Sequence, residues 1–345
     1  MSIGVNVGPL FKQIGIYDEL ASLGKVCDTV DNYNEDREKL FSMELGHVLE
    51  MTGLQGFIIA RSVMHDLMWR QVPTDKIHLG KRVLSMKQNE YGVQIQFSDN
   101  TMAEGDILIG ADGAYSAVRQ SLYARLKKDG LLPSSDDGGL PFSCVYLAGQ
   151  TNPMNPAMYP ELTDPVSRFS SVTSLDKPYS WSSMTVKDNI YCWGVIQYLD
   201  SATSKDNDSF RNSEWGPEAA QTMSNEVRDL PLPLGNGKMT MADLIDNSPL
   251  ISKVMLEEKV FETWYSGRTA LLGDACHKIH PAGGTGALNA MHDAVVLANY
   301  ISTLETTSIE DTERIFQQYK AERYSMVMAA FASAQSMARV RATVS

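Results

Sequence analysis

Hydrophobic and polar positions alternate with two different periods along this chain, and the switches between them mark its elements. Val93, Ile95 and Phe97 alternate with glutamines, a period of two that predicts a half-buried strand over 93–97, and Ser98-Asp99-Asn100 turns the chain after it. The run 106–109, apolar after Asp106, enters Gly110-Ala111-Asp112-Gly113. A continuous apolar strand ending in such a turn predicts a buried sheet with a site at its carboxyl edge. Residues 182–186 and 191–198 are β-branched and aromatic runs around Lys187-Asp188-Asn189, which predicts a hairpin. A short buried strand is expected at 269–272, ended by Gly273-Asp274, with a glycine-rich turn at 281–286 behind it. Period 3.6 takes over elsewhere. Helices are expected over 10–23, from a Ser62 cap to about 70 with Val63, Leu67 and Met68 near one face, over 287–301, and over 312–340. Leu288, Met291, Val295 and Ala298 carry the apolar spacing of the third, and Pro73 stops the second. Met326, Met328 and Met337 on the last helix read as adaptable core or docking residues. Loops rich in Gly, Ser, Asp and Asn are expected at 129–139 and 200–213.

Composition narrows the class. The chain has 345 residues, 43% of them apolar and 21% charged, which suits two domains or one large domain with an inserted lobe. The formal net charge is −12, so neither nucleic acid nor an anionic membrane surface is an expected partner. Four scattered cysteines without a C-x-x-C suit reduced thiols, and the expected location is cytoplasmic. Neither a signal peptide nor an apolar run of membrane-spanning length is read from the sequence, and Asn207-Asp208-Ser209 is read as a chance match to a glycosylation site.

The densest chemistry lies in 267–277, followed by the glycine turn and a helix. An aspartate at a strand end accepts hydrogen bonds from sugar-like hydroxyls. Glycines let backbone N–H groups approach an anion, and a helix N-terminus adds partial positive charge. Together these suit a cofactor with a polyol and a diphosphate; a purely structural strand–turn–helix is the alternative. Asp274, Cys276, His277, His280 and His292 fit no metal-ligand spacing, so no metal is expected. The G-x-S-x-G elbow of serine hydrolases is absent.

The segment LLGDACHKIHPAGGTGALNAMHDAVVLA (271–298) resembles the second FAD-binding motif of class A flavoprotein monooxygenases, the p-hydroxybenzoate hydroxylase-like group, and most closely their fungal paxilline-type members. ILIGADGAYSAVRQSL (107–122) resembles that family's Asp-Gly motif, and Arg61 in ARSVMHDLM stands where the family has an arginine that reaches the FAD diphosphate. The resemblance implies that Asp274 binds the ribityl chain. It places the amides of Gly283, Gly284, Gly286 and Ala287 near the diphosphate and flavin, Asn289 close to the isoalloxazine, and Asp112 near the cofactor sugars. Arg119 is expected to support the Asp112 loop or the nicotinamide phosphates, and Arg168 and Tyr191 to line the substrate pocket and orient the substrate. The W-x-W-x-I-P segment of flavin halogenases is missing, and Tyr191 and Trp193 alternatively read as sheet packing.

The family's opening G-x-G-x-x-G unit finds no match, because Gly4-Val5-Asn6-Val7-Gly8 has the wrong spacing and no strand before it. The expected fold is therefore α/β: a three-layer FAD-binding domain, Rossmann-like but without its first β-α-β unit, formed by 1–139 and 263–345, a mixed-sheet substrate lobe over 140–262, and C-terminal helices. The implied activity is FAD-dependent monooxygenation, hydroxylation or epoxidation of a small organic substrate with NAD(P)H and O2. The alternative is a truncated, non-catalytic remnant unable to hold FAD. Substrate identity, the choice of NADH or NADPH, and oligomeric state are left open by the sequence.

Overall fold

The hairpin around 187–189 forms and lies inside a large sheet. In the computed structural model, which describes residues 1–174, 176–199 and 216–343, its strands are Tyr179–Val186 and Ile190–Tyr198. Asp188 and Asn189 have φ of 62° and 57°, the left-handed conformation that tight hairpin turns require and that Asp and Asn tolerate. The loop 200–213 and Asn207 lie outside the described residues. By internal contacts the chain divides into two compact units. One is Met1–Val72, Phe142–Leu256 and Arg339–Ser345; the other is Pro73–Pro141 and Glu257–Ala338. The cofactor domain expected from the sequence takes in all of 1–139. The contacts instead group the first 72 residues with the large sheet, because the strand Thr29–Tyr33 pairs parallel with Phe169–Thr173.

In the first unit the seven-stranded sheet runs, edge to edge, Leu250–Glu257, Phe142–Gln150, Ile190–Tyr198, Tyr179–Val186, Phe169–Thr173, Thr29–Tyr33, Lys39–Glu44. Period-two alternation sends Val145, Leu147, Trp181, Tyr191, Trp193 and Val195 to one face. There they pack with Ala220 and Met223 of helix Pro217–Glu226 and Leu244 of helix Met241–Asp246. Burying each large apolar side chain in this way contributes roughly 1.5–3 kcal/mol before entropy is charged against it. A smaller antiparallel sheet joins Ser2–Ile3, Phe57–Ile58 and Lys25–Val26.

Two helices of this unit differ from expectation. The span 10–23 holds two helices, Gly8–Gln13 and Tyr17–Leu23, because Gly15 takes a left-handed φ of 77° between them. The next helix, Arg61–Trp69, begins one residue before Ser62 and has Ala60 as its cap without a side-chain hydrogen bond; Met64 and Leu67 form its buried face.

The second unit carries the motifs. Thr269–Leu271 pairs parallel with Leu108–Gly110, in the register Thr269↔Leu108 and Leu271↔Gly110. Both strands therefore end at one edge, and the Asp112 loop and the Asp274 turn leave from neighbouring strand ends. Helix Ala117–Lys128, the meander Val83–Gln88, Val93–Phe97, Met102–Gly105, helix Gly286–Ile301 and the part of helix Ile309–Thr343 up to Ala338 complete it. Leu122, Trp264, Leu271, Cys276, Phe316, Tyr319 and Val327 form its core. Met326, Met328 and Met337 are not core residues: all three are exposed on the last helix. No helix among the described residues is long and apolar enough to cross a membrane.

Candidate functional site

The site is built at the paired strand ends of the second unit. Gly273 turns the chain with φ of 59°, and a Cβ there would stand 3.0 Å from the Ala290 Cβ, so both backbone conformation and helix packing require glycine. The turn Gly273–Ala275 presents Asp274 to solvent. The Asp274 carboxylate takes no hydrogen bond from the described residues, so its acceptor capacity remains available to a hydroxylated ligand.

The companion loop is more self-sufficient. Asp112 accepts from the Ser116 hydroxyl at 2.5 Å and from the Val118 amide at 3.2 Å, and Ser116 Oγ accepts from the Arg119 amide at 2.9 Å. Asp112 thus closes the start of helix Ala117–Lys128. Arg119 is buried. Its guanidinium donates to the Ala275 carbonyl at 2.8 Å and the Ala114 carbonyl at 2.5 Å, and lies 4.4 Å from the Phe261 ring centroid. Burial lowers the pKa of this guanidinium. Of the two roles expected for Arg119, the observed contacts are those of loop support: it ties the Asp112 loop to the Asp274 turn.

The glycine turn opens the third part. His280 Nδ1 accepts from the Ala282 amide at 3.1 Å, and Gly284, at φ 63°, closes the turn with its amide on the Pro281 carbonyl at 2.9 Å. Gly283 packs so closely on the last helix that a Cβ would meet the Ala334 Cβ at 2.8 Å, whereas a Cβ at Gly286 would meet nothing within 4 Å. Helix Gly286–Ile301 starts in that open space, and the amides of its first turn have no intrahelical acceptor. The Thr285 hydroxyl beside them is buried without a partner among the described residues. A row of free N–H donors at a positive helix end, an orphaned hydroxyl and an uncommitted carboxylate form the donor and acceptor set that a diphosphate linked to a polyol needs. The residues present fit FAD.

Beneath this surface lies a cluster whose central pair, Asp293 and Arg323, the motifs did not single out. Asp293, fully buried, pairs with His277 Nε2 at 2.5 Å, accepts from the Gly273 amide at 3.0 Å and from Arg323 Nε at 2.8 Å. Arg323 also donates to Asn289 Oδ1 at 2.9 Å, and Asn289 Nδ2 donates to the Thr285 carbonyl at 3.0 Å. Desolvation alone would raise the Asp293 carboxyl; the hydrogen bonds and charges of His277 and Arg323 and the Gly273 amide hold it below its ordinary value. Cys276, His277 and Asp293 each bring a ligand-type atom within 4.8 Å of the others, but the Asp293 oxygens already serve three donors. The sequence did contain one signal for this cluster: Asp293 is a charged residue one helical turn from Asn289 in an otherwise apolar pattern. Nothing in the sequence marked Arg323.

Asp112, Asp274, Gly283, Gly284, Gly286, Ala287 and Asn289 all belong to this second unit. Arg61, Arg168 and Tyr191 belong to the first. Arg61 is the exposed first residue of its helix. Arg168 donates to Asp164 at 2.5 Å and lines a cleft of about 470 Å³ with Asp31, Tyr33, Asp164 and Phe169. Tyr191 is not part of that cleft lining. It is fully buried in the sheet core, its hydroxyl donates to Glu161 at 2.6 Å, and burial pushes its phenol up. Its surroundings are those of the sheet-packing alternative.

Comparison with known proteins points to the same cofactor. Residues 208–334 match the family model described as FAD binding domain. The FAD-dependent monooxygenase esdpE of Penicillium shearii is 26% identical over 302 residues, covering 84% of this chain and 59% of that protein. The FAD-dependent monooxygenase paxM of Penicillium paxilli is 26% identical over 366 residues, covering 98% of this chain and 70% of that one. This chain therefore spans less than two thirds of the first relative's length. Among solved structures, Klebsiella pneumoniae HpxO complexed with FAD and uric acid superposes with a TM-score of 0.71 at 21% identity, covering 99% of this chain and 79% of that one. At that identity the likeness establishes the fold.

Proposed function

We propose, for a chain that carries an FAD binding domain and is a homologue of fungal FAD-dependent monooxygenases, that it is itself an FAD-dependent monooxygenase acting on a small organic substrate. The observation that carries the reading is the pairing of Leu271 with Gly110. It sets the uncommitted Asp274 carboxylate on a turn that leaves the sheet edge beside the Asp112 loop, in a unit that also holds the open start of helix Gly286–Ile301.

In this proposal Asp274 accepts hydrogen bonds from the ribityl hydroxyls. The amides of Gly284, Gly286 and Ala287 face the anionic parts of the cofactor, where the helix N-terminus favours negative charge. Gly283 keeps the turn against the last helix, and Asn289 holds the first helical turn through Thr285. Arg61 belongs to the proposal as a ligand of the cofactor diphosphate, and Arg168 as a group that orients substrate. FAD supplies the redox chemistry when bound. The net reaction takes NAD(P)H, a proton and O2, places one oxygen atom in the substrate and releases the other as water. The chain's own residues bind and orient the reactants, and no protein acid or base is required.

The test is the visible spectrum of the purified chain after gel filtration with FAD. Retained flavin bands, together with NAD(P)H consumption that depends on O2, are the expected result. A protein that passes through colourless refutes the reading and leaves the non-catalytic alternative.

A further inference from the structure

Asp293 and Arg323 spend their hydrogen bonds in an uneven way. A buried ion pair is weak evidence for stability, because desolvation offsets its Coulomb gain and an apolar pair of equal volume often serves as well. What distinguishes this pair is where its bonds end. Asp293 Oδ2 reaches the Gly273 amide, at the head of the turn that presents Asp274. The same oxygen reaches His277, two residues beyond that turn. Arg323 reaches Asn289 Oδ1 and, at 3.4 Å, the Asn289 carbonyl, and Asn289 in turn holds the Thr285 carbonyl just before the helix start. A chain of bonds thus runs Gly273–Asp293–Arg323–Asn289–Thr285. It links the two backbone segments assigned to the cofactor through a side chain from the last helix.

We propose that Asp293 and Arg323 are positioning residues that fix the Asp274 turn and the start of helix Gly286–Ile301 in one geometry, so that the seat for FAD is formed before the cofactor arrives. The assignment rests on the function proposed above. A preformed seat binds without the cost of ordering its two halves, and loosening either half weakens binding without removing any atom that touches the ligand.

The test uses the full chain and two variants. The double variant Asp293→Asn with Arg323→Met removes both charges together, so neither is left buried and unpaired. Arg323→Lys keeps the charge and a reach to Asp293 but loses the second arm to Asn289. Amide hydrogen exchange is followed without FAD over 272–290, with the hairpin Tyr179–Tyr198 as the internal reference; FAD affinity is followed by fluorescence titration. In the double variant, exchange over 272–290 accelerates roughly tenfold while the hairpin is unchanged, and FAD affinity falls roughly tenfold. In Arg323→Lys, exchange accelerates around Thr285 and Asn289 while Gly273 stays protected. Wild-type exchange over 272–290 in the variants, or acceleration spread equally over the chain, overturns the proposal. Should the double variant not fold, Arg323→Lys decides by the same exchange pattern. Should the wild-type chain fail to retain FAD, the proposed function falls while the exchange measurement still decides this one.

Discussion

Asp274 and Tyr191 make opposite predictions because their surroundings are opposite. Asp274 is exposed and takes no hydrogen bond from the described residues, so Asp274→Ala leaves the unfolding midpoint within about 1 °C. The same change removes a charged acceptor from the cofactor seat. At about 1.5–3 kcal/mol for such a bond, FAD affinity falls roughly ten- to a hundredfold, measured by fluorescence titration. Tyr191→Phe does the reverse. It removes the hydroxyl from Glu161 Oε1, which among the described residues keeps only the Gly235 amide, and costs about 1–2 kcal/mol of stability in thermal melts with FAD affinity unchanged. The sequence could distinguish these residues only in part. A charge at a strand end followed by a glycine turn is a local signal, so Asp274 was legible. The partner that commits Tyr191 lies thirty positions away in sequence, beyond the reach of any periodicity.

Elements were legible where one local rule dominated. The hairpin was readable because Asp188-Asn189 sits between two alternating runs, and the helix behind the glycine turn because of its apolar spacing, although the residues it buries are Asn289, Asp293 and Leu297 while Leu288, Met291 and Val295 are only partly covered and Ala298 is exposed. The helix expected over 10–23 broke because a single backbone conformation, left-handed Gly15, outweighs a continuous helical pattern. Gly273 combines both kinds of constraint. Its φ of 59° disfavours any side chain, and its neighbour Ala290 leaves a Cβ only 3.0 Å. Gly273→Ala is therefore expected to cost about 1–3 kcal/mol, read as a lower unfolding midpoint. The strain falls at the turn itself, so exchange should quicken over 272–277 before it does in the Val83–Gly105 meander. Equal quickening in both would mean that the turn is not the weak point of its unit.

At the scale of the molecule, the least legible feature was the grouping of elements, since strand order depends on pairings between distant segments. The parallel contact of Thr29–Tyr33 with Phe169–Thr173 joins residues well over a hundred positions apart, and it moves the first 72 residues into the unit of the large sheet. Asp293 is a similar case in the other unit, where turn, helix and last helix converge on one buried carboxylate. That convergence fixes how the molecule responds to acid. The Asp293 value is depressed in the folded state, so its contribution to stability is fully present above the ordinary carboxylate value near 4 and is lost as pH falls through the folded value. Asp31, Asp99, Asp246 and Asp311 are also depressed, Asp99 most strongly through its hydrogen bonds to Lys81 and Thr101, but each of their ion pairs has an exposed member, where solvent screens the gain. Asp293, with His277, Arg323 and the neighbouring Cys276 around it, is the buried one. The unfolding midpoint should therefore drop steeply below about pH 4, and Asp293→Asn should flatten that drop while lowering the midpoint at neutral pH. An unchanged acid slope in the variant would place the molecule's acid sensitivity in its surface pairs instead.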